Sequence, residues 1–161
     1  MLHGVTLRPI TLADATQRYA DWLNDPEVSR FMETRWSVHT VRSAREYIDE
    51  HPGLLAICVD GLHVGNIKIW PLNAWNSCAD VSLFIGDKSY WRKGIGSESI
   101  KQAVASVEKY GLRKVEAGIY APNVASLAAF LKAGFKIEGW RDSAAAFEGG
   151  RCDVIMVGMV L

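Results

Sequence analysis

Residues 79–110, ADVSLFIGDKSYWRKGIGSESIKQAVASVEKY, constrain the fold of this chain more than any other stretch. Val81, Leu83 and Ile85 alternate with Asp80, Ser82 and Phe84, which is the two-residue period of a strand. Further on, Ile100, Ala103, Val104 and Val107 fall at i, i+3, i+4 and i+7, the stripe of a helix packed on a sheet. Between them lies Trp91-Arg92-Lys93-Gly94-Ile95-Gly96-Ser97, a basic loop with two glycines. The order strand, loop, helix predicts an α/β unit, with unpartnered N–H groups and the positive end of the helix dipole directly behind the loop. Gly94 and Gly96 remove Cβ atoms from the approach to those amides, and Arg92 and Lys93 add mobile positive charge. The pattern predicts a pyrophosphate cradle. A tight turn into a packed helix would also account for the glycines alone.

What is missing narrows the kind of cradle. A nucleoside-triphosphate loop needs Lys and Ser/Thr after its second glycine, and Gly96 is followed by Ser97-Glu98. The dinucleotide fingerprint needs a third glycine where Ser99 stands, and Glu116, the acid at about the right distance, falls in mid-strand. Downstream, residues 114–120, KVEAGIY, have the pattern of a strand ended by Ala121-Pro122-Asn123. Val124, Leu127, Ala128 and Leu131 then repeat the helical stripe up to Gly134, a residue suited to closing a helix. Taken together, WRKGIGSE followed by N-x-x-S-x-x-x-F-x-K-x-G-F resembles the GNAT superfamily of acyl-CoA-dependent N-acetyltransferases, over most of the chain.

At 161 residues, 49% hydrophobic and 22% charged, one globular domain covering 1–161 is expected. Eighteen basic against eighteen acidic side chains argue against a general binder of nucleic acid or anionic membrane. No apolar run has the length of a membrane span, and the first residues lack a signal-peptide pattern. Cys58, Cys78 and Cys152 are odd in number and widely spaced, which suggests neither a disulfide framework nor a metal site, so a reduced, cytoplasmic setting without metal is expected.

Along the rest of the chain, residues 5–10 alternate like a first strand, and Thr11 to Asp14 fits a capping box for a helix running to about Leu23. Pro26 suits the first turn of a second helix over about 27–33, and a third is expected from Ser37 to the stop at His51-Pro52-Gly53. Residues 54–59 and 63–70 around Asp60-Gly61 predict a hairpin. Two last extended segments are expected at about 136–143 and 153–161. The resemblance implies an α/β (α+β) fold with a mixed, mostly antiparallel central sheet of six to seven strands, splayed between the fourth and fifth and flanked by helices.

For the site, the resemblance implies acetyl-CoA as co-substrate, its pantetheine arm against Leu83, Phe84 and Ile85, its diphosphate on Trp91, Arg92, Lys93, Gly94, Ile95, Gly96 and Ser97, and further contacts from Asn123, Ser126 and Phe130. A plain helix cap is the other role open to Asn123. Attack of a neutral amine on the thioester needs an oxyanion donor, expected as a backbone N–H near Ile85 or Gly86. It also needs a base, and Asp80, eleven positions before Trp91 (91 − 80 = 11), holds the place where relatives often carry an acid, with Glu33 as a competitor. The family's usual tyrosine acid is replaced by Phe130, so Tyr120, Tyr90 or Ser126 are candidates to protonate the departing thiolate, Tyr120 foremost. Trp91, where many members have glutamine or arginine, is similar to the branch with ribosomal-protein alanine acetyltransferases and amino-sugar acetyltransferases.

The acceptor side is expected on Trp22, Arg30, Phe31, Glu33 and Arg35, whose rings and charges would suit a sugar nucleotide, although an amphipathic helix pair burying Trp22, Phe31 and Trp36 explains the same residues. His39, His51 and His63 are assigned to surface or turns, and Arg151 and Asp153 to a pair beside the last strand. The expected partners are acetyl-CoA and an amine acceptor such as a protein N-terminus or an amino sugar, with the protein a monomer or homodimer. A non-catalytic acyl-CoA-binding module is the alternative.

Overall fold

The computed structural model describes residues 4–108 and 110–161, with the backbone alone at position 72. Residues 1–3, at the start of the expected 1–161 domain, and position 109, in the 79–110 stretch, lie outside the described residues. Seven strands hydrogen-bond in the order β1-β2-β3-β4-β5-β7-β6. They are β1 (Val5–Pro9), β2 (Leu54–Val59), β3 (Leu62–Asn73), β4 (Cys78–Ile85), β5 (Lys114–Tyr120), β6 (Lys136–Phe147) and β7 (Gly150–Val160). β4 and β5 run parallel through a ladder of three positions, Cys78 to Asp80 against Lys114 to Glu116, whereas β1/β2, β2/β3, β5/β7 and β6/β7 are antiparallel. The mixed sheet and the short ladder between the fourth and fifth strands are those expected. By its internal contacts the chain divides into two compact bodies, one of residues up to Lys68 with Leu83–Ile95, the other of Ile69–Ser82 with Gly96–Leu161.

In the first body, α1 (Gln17–Asn24) and α2 (Val41–Glu50) share a core of Tyr19, Trp22, Leu23, Ala44, Ile48 and Leu54. The capping box of Thr11 and Asp14 forms, but it starts only a 3-10 turn, Leu12–Asp14. Ala15 leaves helical geometry at ψ 70°, and Thr16 begins α1 afresh by accepting the Tyr19 N–H at 3.3 Å. The helix expected at 27–33 is a run of turns: the Asp25 carboxylate caps the N–H groups of Glu27 (2.9 Å) and Val28 (3.3 Å) and the Ser29 N–H reaches the Asp25 carbonyl (2.9 Å), but the next bond, from the Met32 N–H to the Ser29 carbonyl (2.8 Å), spans three residues and not four, and the regular piece that follows is a 3-10 turn at Glu33–Trp36. Likewise α2 starts at Val41, not Ser37, because Thr40 and Ser43 cap it reciprocally. Asp60 and Gly61, at φ 50° and 82°, turn β2 into β3 as a two-residue hairpin loop must. One irregularity follows: His63 faces Cys58 and Gly65 faces Ile57, so Val64 is an extra residue in β3. That bulge puts His63 and Asn66 on the same face.

In the second body, α3 (Ile95–Glu108) buries Ile100, Ala103 and Val104 as its stripe predicts, and β5 buries Val115, Ala117 and Ile119. The stripe assigned to α4 (Val124–Ala133) is wrong: Val124, Ala128 and Leu131 are exposed, and Phe130 is the residue the helix buries. Its sequence, VASLAAFLKA, is apolar nearly all round, so periodicity cannot choose a face and the largest ring does. Gly134 closes α4 at φ 107°. β6 and β7 are longer than expected and meet at Glu148-Gly149. Arg151 and Asp153 do not pair with one another. They bracket Ser143, whose N–H reaches Asp153 Oδ1 at 2.8 Å and whose carbonyl accepts from Arg151 Nε at 2.6 Å, where β6 bulges.

Candidate functional site

In the first body the candidate residues gather at the end of β4 and the loop after it. Asp87 accepts the N–H and hydroxyl of Ser89 (3.0 and 2.7 Å), which forms the 3-10 turn Lys88–Tyr90, and its other oxygen meets Arg18 at 2.6 Å. Desolvation opposes ionisation of Asp87, but the bonds from Ser89 and Arg18 prevail and hold its carboxyl below the usual range. Lys88 bridges to Asp25 at 2.8 Å and Glu27 at 3.4 Å. Trp91, half-buried against the α1/α2 core, donates its indole N–H to the Ile85 carbonyl at 2.8 Å, so it ties the loop to the strand it leaves. Arg92 (φ 59°) and Gly94 (φ 78°) both adopt left-handed backbone, and α3 begins at once with Ile95. Gly94 has no side chain to cap the helix, Arg92 and Lys93 are exposed, and Lys93 lies 5.5 Å from the Tyr90 ring. A basic loop that turns through two left-handed residues into a helix start suits a diphosphate.

Of the two backbone N–H groups expected as oxyanion donor, near Ile85 or Gly86, the second has a partner within the fold. The Gly86 N–H is committed to the Val64 carbonyl at 2.8 Å, and the Asp87 N–H shares that acceptor at 3.1 Å. The acceptor-side residues also belong to this body. Trp22 is only 8% exposed, as the helix-pair alternative requires, but Trp36 is 70% exposed and Phe31 half-buried. Arg30 lies 5.0 Å from the Phe31 ring and Arg35 4.4 Å from the Trp36 ring, with Arg35 Nη1 donating to the Met32 carbonyl at 2.6 Å. Glu33 is exposed at the start of its 3-10 turn.

His63 is not the surface residue expected. It stacks against Tyr19 (6.2 Å) and meets Trp22 edge-on (5.2 Å), with Nε2 2.9 Å from Asn66 Oδ1 and Nδ1 3.9 Å from Asp14. Burial lowers its pKa and outweighs the opposing effects of Asn66 and Asp14. Asp14 is in turn held bidentate by Arg8 (2.7 and 2.8 Å), which keeps its carboxyl far below the ordinary range. Two glycines complete the body: Gly65, which sequence reading missed, and Gly86, which it named only for its backbone N–H. A Cβ on Gly65 would lie 2.2 Å from the Phe84 carbonyl oxygen, and one on Gly86 2.1 Å from the Trp22 ring. No motif marks either position, because both are set by what packs from elsewhere.

In the second body, Asp80 stands half-buried on β4 beside its ladder partner Glu116, and the Cys78 thiol meets Glu116 at 3.4 Å. Burial, then Glu116, pushes that thiol's pKa up. Tyr120 ends β5 with its ring edge-on to Phe147 at 6.2 Å. Asn123 caps α4 by accepting the Ser126 N–H at 3.2 Å, the cap role left open above, and its Nδ2 lies outside that bond. Phe130 is 2% exposed and packs edge-on to Phe135 at 5.0 Å, so this position supplies core and no hydroxyl.

Residues 5–136 match the model of the acetyltransferase (GNAT) domain family. A curated relative, "Putative phosphinothricin acetyltransferase YwnH" of Bacillus subtilis (strain 168), is 32% identical over 104 residues, which take in 60% of this chain and 63% of that protein's length. A crystal structure of a "putative phosphinothricin N-acetyltransferase" is 25% identical with a TM-score of 0.80, covering 98% of both chains. The ribosomal L7/L12 alpha-N-protein acetyltransferase RimL, solved in complex with coenzyme A, superposes with a TM-score of 0.88 at 17% identity, covering 98% of this chain and 94% of that one, and so is similar in fold.

Proposed function

The chain belongs to the GNAT acetyltransferase family, and from that premise we propose that it acts as one acetyltransferase domain that transfers an acetyl group from acetyl-CoA to a primary amine by direct attack on the thioester. The observation that carries this is the loop before α3, where Arg92 and Gly94 turn the backbone into the helix start beside exposed basic side chains. In this reading the diphosphate of acetyl-CoA lies on Arg92, Lys93, Gly94, Ile95, Gly96 and Ser97, with Trp91 fixing the loop. Leu83, Phe84 and Ile85 hold the pantetheine arm, and Asn123 and Ser126 are further residues assigned to acetyl-CoA. Phe130 supports α4 from the core.

Asp80 takes a proton from the acceptor's ammonium, directly or through water, so that the neutral amine attacks the thioester carbonyl, and Tyr120 delivers a proton to the departing thiolate. A thiol with an ordinary pKa of about 8.5 leaves readily, so the loss of the family's tyrosine at Phe130 slows transfer without preventing it. Arg30, Phe31, Glu33 and Arg35 face the acceptor, an amine with anionic or ring-bearing parts. Phosphinothricin, named in two relatives, joins protein N-termini and amino sugars among the candidates. In this reading the protein works in the cytoplasm as a monomer or homodimer; among the described residues no helix is long and apolar enough to cross a membrane.

Thiol release from acetyl-CoA across a panel of N-terminal peptides, sugar nucleotides carrying amines, aminoglycosides and phosphinothricin tests the reading. At least one amine is expected to be acetylated, and Asp80→Asn to lower that rate by about 10²-fold or more at unchanged acetyl-CoA affinity. An Asp80→Asn enzyme as fast as the parent at every pH removes the base assignment. The absence of hydroxyl at Phe130 favours one second reading, an acyl-CoA-binding module without catalysis; acetyl-CoA binding without thiol release for any amine would establish it.

A further inference from the structure

We infer that Trp22, expected from sequence to touch the acceptor, is instead a positioning residue that fixes the backbone at the end of β4. The side chain is 8% exposed, which leaves little surface for a ligand. Its Cδ2, Cε3 and Cγ atoms fill the space, 2.1 to 2.4 Å away, where a Cβ on Gly86 would stand, so the indole covers the Gly86 backbone directly. Arg18 sits 4.9 Å from the same indole and holds Asp87 at 2.6 Å, so the residue after Gly86 is tied to the same helix. His63 and Phe84 pack edge-on to the indole at 5.2 and 6.5 Å.

The backbone beneath is fixed just as closely. The Gly86 and Asp87 N–H groups converge on the Val64 carbonyl, and the Ile85 carbonyl accepts from Trp91. Three consecutive residues, Ile85, Gly86 and Asp87, are thus each bound from outside their own strand, and Trp22 is the lid on that arrangement. The inference rests on the proposed reading that this strand end holds the thioester. A displacement of about 1 Å in such a place costs roughly 10²-fold in rate, so a residue with no substrate contact can govern turnover from here.

The test is a size exchange. Gly86→Ala drives a methyl into the indole and is expected to lower both melting temperature and kcat. Adding Trp22→Leu makes room, so the double variant is expected to recover the melting temperature while kcat stays at least about tenfold down and both KM values stay within about threefold of the parent. Trp22→Phe, which keeps an aromatic face, is expected to retain more turnover than Trp22→Leu. Recovery of kcat together with melting temperature, or a Trp22→Leu enzyme within about twofold of parental kcat, would reduce Trp22 to core filling. A readout independent of activity is amide exchange at Gly86 and Asp87, expected to quicken about tenfold or more in Trp22→Leu. Unchanged protection there overturns the inference. A parent protein that acetylates no amine refutes the proposed function, and the exchange measurement still decides whether Trp22 holds the strand end.

Discussion

Gly94 and Gly86 stand eight residues apart (94 − 86 = 8) and need to be glycine for opposite reasons. Gly94 sits half-buried at φ 78°, so its requirement is a dihedral angle that L side chains adopt at a cost. Gly86 is buried, and its requirement is space, since the Trp22 ring occupies the volume of a Cβ. Gly65 belongs with Gly86, except that its intruder is the backbone of Phe84 and Ile85, not a side chain. The comparison teaches that a glycine needed for its torsion advertises itself in a local motif, whereas one needed for its emptiness is defined only by a distant partner.

Substitution at each kind of glycine can break this distinction. Gly65→Ala is expected to be the most damaging, because the oxygen 2.2 Å from the new methyl is main chain and cannot swing away. A loss of about 3 kcal/mol or more in denaturant unfolding is predicted, and a loss under about 1 kcal/mol would show that β3 and β4 shift cheaply. Gly94→Ala is expected to cost about 1–2 kcal/mol in the same assay and to weaken acetyl-CoA binding by calorimetry, while Gly94→Asn, which tolerates left-handed backbone, recovers part of both. If Asn behaves no better than Ala, the torsional account of this loop is wrong.

The buried side of the comparison carries titrating groups. Asp14 has a folded pKa below its ordinary 3.8, so its stabilisation is present in full above that value and is lost as the solution is acidified further. Asp14→Asn is expected to cost about 1 kcal/mol at pH 7 and clearly less at pH 2, where part of the folded-state charge persists, followed by thermal unfolding. His63 is smaller in effect. Its pKa is depressed below 6.5, so the unfolded chain binds the proton first and stability declines as pH falls below about 6.5. His63→Gln should flatten that decline, by less than about 1 kcal/mol, and an unaltered slope would assign it to another group.

These differences explain what could be read from the chain itself. The α3 stripe, β5 and the Asp60-Gly61 hairpin were legible because local pattern and tertiary packing agree there. The loop 91–97 was legible as a motif, but the Trp91 indole bond to Ile85 was not, since nothing in the sequence aims a side chain backward. The 27–33 segment misled because it does begin as a helix would, with Asp25 capping Glu27 and Val28, but the bond that follows runs from Met32 back to Ser29 over three residues, which no local signal marks. His63 was missed because a strict two-residue alternation places it and Asn66 on opposite faces, and only the extra residue at Val64 brings them together. Asp80 and Glu116 were each visible, but their adjacency depends on a three-position parallel ladder between segments far apart in sequence.

That extra residue in β3 works like a frameshift written in protein. Its carbonyl is the shared acceptor for Gly86 and Asp87, and its insertion sets the parity of every side chain after it. Removing a single residue there would therefore not shorten the strand slightly. It would turn Asn66 away from His63 and withdraw the anchor from the tip of β4 in one step, so homologous chains that keep this strand end should tolerate exchanges at position 64 far better than deletions.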